Sequence, residues 1–405
     1  MKSTLRTLVL AAASAGLLAM PAAAKTIKIG LIAPFSGPAS LIGTDWKQGV
    51  AVFFKLHGQS VDGNKVEIIM RDLPGPNPLQ ARAIAQELVV KDGVQYLAGL
   101  AYSPNALALG AFANKAKVPI VIFNAATSSI IDKSKYFLRV SYTLPQISVP
   151  EAAYARRRGF KNMVSMVADY APGWDAEDAF TKAFTQYGGK IAGKIRMPLS
   201  TTDYVPYLQR AKSMAPDAIF GFLPGGGPTF QFLTAYINSG MRAGGITYIG
   251  QGETGENDLP RYGTLVDGLV TVSFYSADHQ SKVNAEFKKA LHEVYPKAIA
   301  NVFQVAAMDG MHVIYHMIHA THGKKAGDAA IKSALGLSWE SPRGPVKIDP
   351  KTRDWLQQVY VRKVEKHEDG TFYNKELEVF PMQPDYGRPG TPIPPLADLK
   401  STKLP

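Results

Sequence analysis

Four short stretches carry side chains suited to gripping a small molecule. They are Phe35-Ser36-Gly37, Tyr102-Ser103-Pro104-Asn105, Asn124 to Ser129, and Asp169-Tyr170-Ala171-Pro172-Gly173-Trp174. Each offers hydroxyls or backbone N–H groups next to the start of a helix, the arrangement that favours a carboxylate. Two add aromatic faces, which suit the apolar body of a ligand. Taken singly, each has a plainer use: Ser103 before Pro104 reads as a helix cap, and Tyr170 and Trp174 as core or hinge packing. Their shared chemistry tilts the reading towards a binding cleft.

Other chemistries fare less well. Gly250-Gln251-Gly252-Glu253-Thr254-Gly255 matches G-x-G-x-x-G after an expected strand. The following residues, with Pro260 and Gly263, lack the helix that would hold a pyrophosphate. The same loop can instead present Glu253 at a strand end, where a carboxylate could hold an ammonium. His312, His316, His319 and His322 recur on one helical face as a metal site would need. No H-E-x-x-H pattern accompanies them, so a solvated histidine stripe is the plainer reading. There is no G-x-S-x-G elbow, no phosphate-binding G-x-x-x-x-G-K-[ST] loop and no cysteine to act as a nucleophile. A non-enzyme without cofactor or metal is expected.

The elements that must position these loops follow a regular rhythm. Ile27 to Ile32 is a short apolar strand, and a helix follows with Thr44 or Asp45 as its cap. Strands over 65–70, 94–99 and 118–123 alternate with helices over 79–91 and from Ser103. The rhythm pauses at 141–150, a linker, and restarts with strands over 162–168, 190–197, 217–222, 246–249 and 269–275. Helices over 175–187, 204–214 and 230–239 separate them. Alternation of this kind predicts doubly wound α/β lobes with parallel-sheet cores. Three consecutive helices over 281–294, 301–322 and 328–334 break the pattern, as they would if the chain returned to the first lobe. A strand over 358–363 and a Pro/Gly-rich tail from Pro381 close the sequence.

Composition bounds the setting. Met1 to Ala24 has a basic start, an apolar stretch and an Ala-rich end, the signature of a cleavable export signal. The chain of 405 residues carries no cysteine, so neither a disulfide framework nor a lipidated cysteine is possible. Net charge is +12, yet only 19% of residues are charged. With no basic stripe interleaved with aromatics, nucleic acid is a poor partner. A soluble periplasmic protein without a membrane span in its mature form is expected.

Over residues 25–365 the order and spacing resemble the leucine/isoleucine/valine-binding proteins, type I periplasmic solute receptors of ABC importers. The resemblance rests on GLIAPFSGPASLIG, VQYLAGLAYSPNA, VPIVIFNAATSS, NMVSMVADYAPGWDAEDAF and SPRGPVKIDP. It implies two Rossmann-like lobes joined by three hinge segments and closing on a ligand. Residues 25–143 and 277–342 would form lobe 1, and 144–276 and 343–405 lobe 2. By the same resemblance Ser103, Thr127 and the backbone N–H of Ala125 would hold a ligand carboxylate, and Glu253 its ammonium. The family's aromatic contact on lobe 2 would fall at Gly173, so Tyr170 or Trp174 must replace it. Phe222 and Pro224 stand where a tyrosine is common. Ser36 and Tyr102 would complete the lobe 1 wall, with Trp46 as a neighbour. The implied function is to carry a small apolar amino acid or similar carboxylate, as a monomer, to an inner-membrane permease. An aromatic acid without an amino group is the alternative ligand; an exported α/β enzyme and a metal carrier are alternatives of another class.

Overall fold

The computed structural model describes residues 25–225 and 227–404; the expected export signal lies outside them. Two sheets organise the chain. The first holds β1 (Thr26–Ala33), β2 (Ser60–Val61), β3 (Asn64–Asp72), β4 (Tyr96–Gly99), β5 (Ile120–Ile122) and β6 (Phe137–Arg139). Its order is β2-β3-β1-β4-β5-β6, parallel except for the short β2–β3 hairpin. β1 lies between β3 and β4, with helices on both faces. Ile27, Ile29, Leu31 and Ile32 are accordingly all buried, as a continuous apolar run requires.

The second sheet starts with β7 (Asn162–Ala168), β8 (Lys190–Met197), β9 (Ala218–Phe222), β10 (Thr247–Gly250) and β11 (Val270–Ser273), ordered β11-β10-β9-β7-β8 and parallel. It then becomes mixed. β12 (Ser338–Ser341), β13 (Gly344–Ile348), β14 (Trp355–Lys366), β15 (Phe372–Gln383) and β16 (Thr402–Lys403) extend it with antiparallel pairing. The long β14–β15 ribbon is absent from the sequence reading because its second strand alternates charged and apolar residues in a polar stretch. β12 pairs within this second sheet, ahead of the boundary expected after residue 342.

The late helices do return to lobe 1. Val302–Ala320 lies against Ser40–His57 so closely that a Cβ on Gly49 would collide with the Gln304 carbonyl oxygen. Tyr315 donates to the Gly58 carbonyl at 2.9 Å and Gln304 to Gln48 at 2.7 Å. Asn301 and Gln304 form a capping box at the helix start.

The expected linker over 141–150 is mostly a helix, Leu144–Arg157, entered by Pro145 in its first turn and capped by Thr143. Pro150 lies inside it and misled the sequence reading; Pro145 occupies a position where the missing N–H costs nothing. Gln146 from this helix donates to the Trp355 and Gln383 carbonyls at 2.7 Å each, tying the first crossing to the C-terminal ribbon. Buried ion pairs fasten the same region: Arg139 with Asp354 at 2.9 Å and Arg343 with Asp309 at 2.8 Å. The tail bonds to both lobes. Asp385 accepts from Ser128 and Arg388 reaches Asp132, while Arg157 donates to the Leu396 and Leu399 carbonyls.

Candidate ligand-binding site

Where the strand ends of the two sheets face each other there is a cavity of about 150 Å³. Lobe 1 supplies Ala39, Ile42, Asp45, Ala101, Tyr102 and Asn124; lobe 2 supplies Tyr170, Phe222, Leu223, Pro224 and the loop from Gln251 to Asp258. Tyr142 and Phe274 line it from the crossings between the lobes, and Phe303 closes it from the late helices.

The first helix begins at Ser40 rather than near Thr44. Asp45 is therefore inside the helix, where it faces the cavity. Asn257 of lobe 2 donates to it at 2.7 Å, a bond that crosses the cleft. Burial pushes the Asp45 carboxyl up to about 7 against the hydrogen bonds that favour its charge. Trp46, its neighbour, is fully buried and packs edge-on against Phe123 at 5.5 Å. It is a core anchor and not a cleft wall.

Tyr102 caps the helix Ser103–Ala108 with extended backbone. The turn before it is strained: Leu100 has φ of +66°, a conformation that costs a bulky residue about 1–3 kcal/mol. Two backbone bonds hold it there, Leu100 N–H to Ile32 at 2.9 Å and Ala125 N–H to the Leu100 carbonyl at 3.0 Å. The Ala125 N–H is thus spent on the turn. Ser103 is buried, and its oxygen accepts from the Ala126 and Thr127 N–H groups at 3.2 Å each. Thr127 is buried as well. Neither hydroxyl lines the cavity, nor does Ala125. Ser36 stands apart from it, bonded through its hydroxyl to Asp72 at 2.5 Å.

On lobe 2, Tyr170 caps the helix Ala171–Gln186 and its ring lies nearly parallel to that of Phe222, 6.2 Å away. Gly173 is in the first turn, and a Cβ there would collide with the Ala168 carbonyl oxygen, so no aromatic side chain fits. Trp174 points away: it is 43% exposed, its indole N–H donates to Asp169 at 2.8 Å, and Arg196 lies over its ring. Of the expected residues, Tyr102, Tyr170 and Phe222 meet at the cavity.

Glu253 is 1% exposed and turns inward. Its carboxylate accepts from the backbone N–H groups of Leu223 at 3.0 Å, Gln251 at 2.6 Å and Gly252 at 3.0 Å. Burial raises its pKa, and these bonds pull the other way. It organises the loop from 251 to 253 and has little left to offer an ammonium. The remaining acid with a cation beside it is Glu256, bonded to Arg362 at 3.0 Å.

The residues that sequence reasoning missed are Tyr142, Phe274 and Phe303. Tyr142 and Phe274 stack at 4.7 Å but lie 132 positions apart on two crossings, so no local pattern joins them. Tyr142 lay in a segment read as a linker and Phe274 at the end of an expected strand, so aromatic composition was the one signal.

Three of the four histidines go to separate partners. His312 stacks on Trp339 at 4.3 Å, His316 bonds the Ser333 carbonyl at 2.9 Å, and His319 bonds Asp62 at 2.9 Å. Among the described residues no three potential metal ligands come together, and no helix is long and apolar enough to cross a membrane.

Comparison with known proteins agrees with this architecture. Residues 26–371 match the family described as periplasmic binding protein. The "Leu/Ile/Val-binding protein homolog 6" of Brucella abortus is 45% identical over 377 residues, 92% of this chain and 96% of that one. A solute-binding protein of an ABC transporter from Rhodopseudomonas palustris HaA2, solved with p-hydroxybenzoic acid, superposes with a TM-score of 0.88. It is 46% identical, covering 90% of this chain and 99% of the other. A second, from Rhodopseudomonas palustris BisB5 with 3,4-dihydroxybenzoic acid, gives 0.85 and 38% over 89% and 99%. A family of this kind binds small molecules for permeases and does not catalyse reactions. The chain belongs to the periplasmic binding proteins, as a solute-binding component of an ABC transporter.

Proposed function

We propose that this protein captures a single-ring aromatic carboxylate in the interlobe cavity and presents it to its permease. The observation that carries the proposal is the wall: Tyr102, Tyr142, Tyr170, Phe222, Phe274 and Phe303 enclose about 150 Å³. A dry cavity of roughly that size is known to admit benzene. Hydroxybenzoate ligands of two similar solute-binding proteins support it. Ligand capture is non-covalent. The lobes, residues 25–143 with 277–337 against 144–276 with 338–404, close over the ligand, with Tyr102, Tyr170 and Phe222 as contacts from opposite sides. The protein acts as a monomer in the periplasm after loss of residues 1–24.

The name of the Brucella relative favours a second reading, a branched-chain amino acid. That ligand needs an acid for its ammonium. Glu253 is committed to backbone N–H groups, which leaves Asp45 and Asp258 of the lining for the role. Titration calorimetry of ligand-free protein with 4-hydroxybenzoate, benzoate, leucine and phenylalanine decides between them. Heat with the benzoates and none with the amino acids is the expected result. Leucine binding without benzoate binding would sink the proposal.

A further inference from the structure

A buried tyrosine normally finds a partner for its O–H, because the hydroxyl has given up water. Tyr102, Tyr142 and Tyr170 are only partly buried, and their hydroxyls are left open to the cavity. All three line the cavity, and among the described residues none of their hydroxyls has a hydrogen-bond partner. They come from three separate supports. Tyr102 caps a lobe 1 helix, Tyr170 caps a lobe 2 helix, and Tyr142 sits on the crossing just before Leu144–Arg157. Burial raises the pKa of each. For Tyr170 the neighbouring Tyr142 and Tyr102 add to that effect. All stay O–H donors throughout the neutral range.

We infer that these three hydroxyls hold the ligand's carboxylate, doing with neutral dipoles what a cationic side chain does elsewhere. The inference rests on the aromatic-acid reading above. A carboxylate has about four acceptor positions, so three donors leave it well satisfied. Hydrogen bonds to an ionised acceptor are about twice as strong as neutral ones, and a dry site strengthens them further.

The alternative anchors are paired with protein groups or set back from the cavity. Arg362 lines the cavity, but its guanidinium donates to Glu256, the Tyr275 carbonyl and Thr271. The Ser103 hydroxyl, whose oxygen accepts from two backbone N–H groups, does not line the cavity. Among the described residues no lysine lines the cavity.

The distribution of the donors has a second effect. A carboxylate bonded to all three ties lobe 1, lobe 2 and the crossing to one point. The contact is complete only with the lobes together, so the ligand binds the closed form better than the open one and shifts the equilibrium by that difference.

The test is calorimetry on Tyr102→Phe, Tyr142→Phe and Tyr170→Phe beside the parent, with benzoate, 4-hydroxybenzoate and the uncharged isostere benzamide. Each substitution removes one oxygen and keeps the ring; thermal melts show which variants are folded, and any two suffice. The parent should bind benzoate at least tenfold more tightly than benzamide. Each folded variant should lose at least tenfold in benzoate affinity and less than threefold in any benzamide affinity. Unchanged benzoate binding in the variants overturns the inference and leaves the aromatic-acid reading standing. Equal losses for benzoate and benzamide overturn it too, since they mean packing. A loss confined to 4-hydroxybenzoate assigns the hydroxyls to the phenol and refutes the carboxylate role. A parent that binds none of the three ligands removes both readings.

Discussion

Replacing Asp45 by Asn takes away a carboxyl that the fold would rather keep protonated. Its pKa rises from 3.8 to about 7, chiefly through burial. Below pH 4 the folded and unfolded chains both carry the proton, and the group contributes nothing to the balance. Between pH 4 and 7 the unfolded chain loses a proton that the folded chain retains. Parent stability therefore falls as pH rises through that window, and the cost is fully present above 7. At about 1.4 kcal/mol per pH decade the ceiling is about 4 kcal/mol, and side-chain relaxation brings the expected figure to about 2–4 kcal/mol. Asn does not titrate. It can still accept from Asn257, which holds Asp45 at 2.7 Å, and it loses one acceptor at every pH. The readout is therefore the change between pH values. Urea denaturation at pH 4 and pH 8 should show Asp45→Asn gaining about 2–4 kcal/mol on the parent between the two. A difference that stays the same within about 0.5 kcal/mol would refute the claim that burial governs this carboxyl.

Glu253→Gln places an amide N–H among the three backbone N–H groups that the carboxylate now accepts; melting should report a loss of about 2–4 kcal/mol. Unchanged stability together with lost leucine binding would restore the ammonium role. Arg139→Met leaves Asp354 buried without its partner at 2.9 Å, and urea denaturation should show about 3–5 kcal/mol of destabilisation. A smaller effect would mean that the pair is solvated. Gly173→Ala should prevent soluble expression or lower the melting temperature sharply, because the Ala168 carbonyl occupies the space. Normal stability would show that the turn can open.

Much of the frame was legible because it is local. Apolar runs such as Ile27 to Ile32 and the helix start beside Ser103 follow from neighbouring residues, and so do the parallel lobes they build, although the cap of that helix falls one residue earlier, at Tyr102. The return of the late helices could be foreseen from the break in alternation. What escaped depends on distant partners. The helix over Leu144–Arg157 keeps two prolines because the crossings around it supply its contacts, and the β14–β15 ribbon owes its second strand to pairing rather than to its own pattern. At the site, spacing located the loops but not which groups they would spend on themselves. The Ala125 N–H and the Ser103 oxygen were legible as donor and acceptor; their use in fastening the Leu100 turn and the backbone at 126–127 was not. The aromatic pair Tyr142 and Phe274 exists only once both crossings are in place.

The return of residues 302–320 to the first lobe also governs when this chain can become a folded object during synthesis. A chain that ends near residue 300 has its first sheet but lacks the helix Val302–Ala320, which packs most extensively on Ser40–His57. It also has β11 with one edge bare, because β14 has yet to be made. Neither lobe is complete until most of the sequence has emerged, and both then finish within the same last quarter. Pairings this distant are slow to find, since the closure of long loops precedes any gain from contact. The nascent chain accordingly stays threadable for most of its length, a useful property in a protein whose family works beyond the inner membrane.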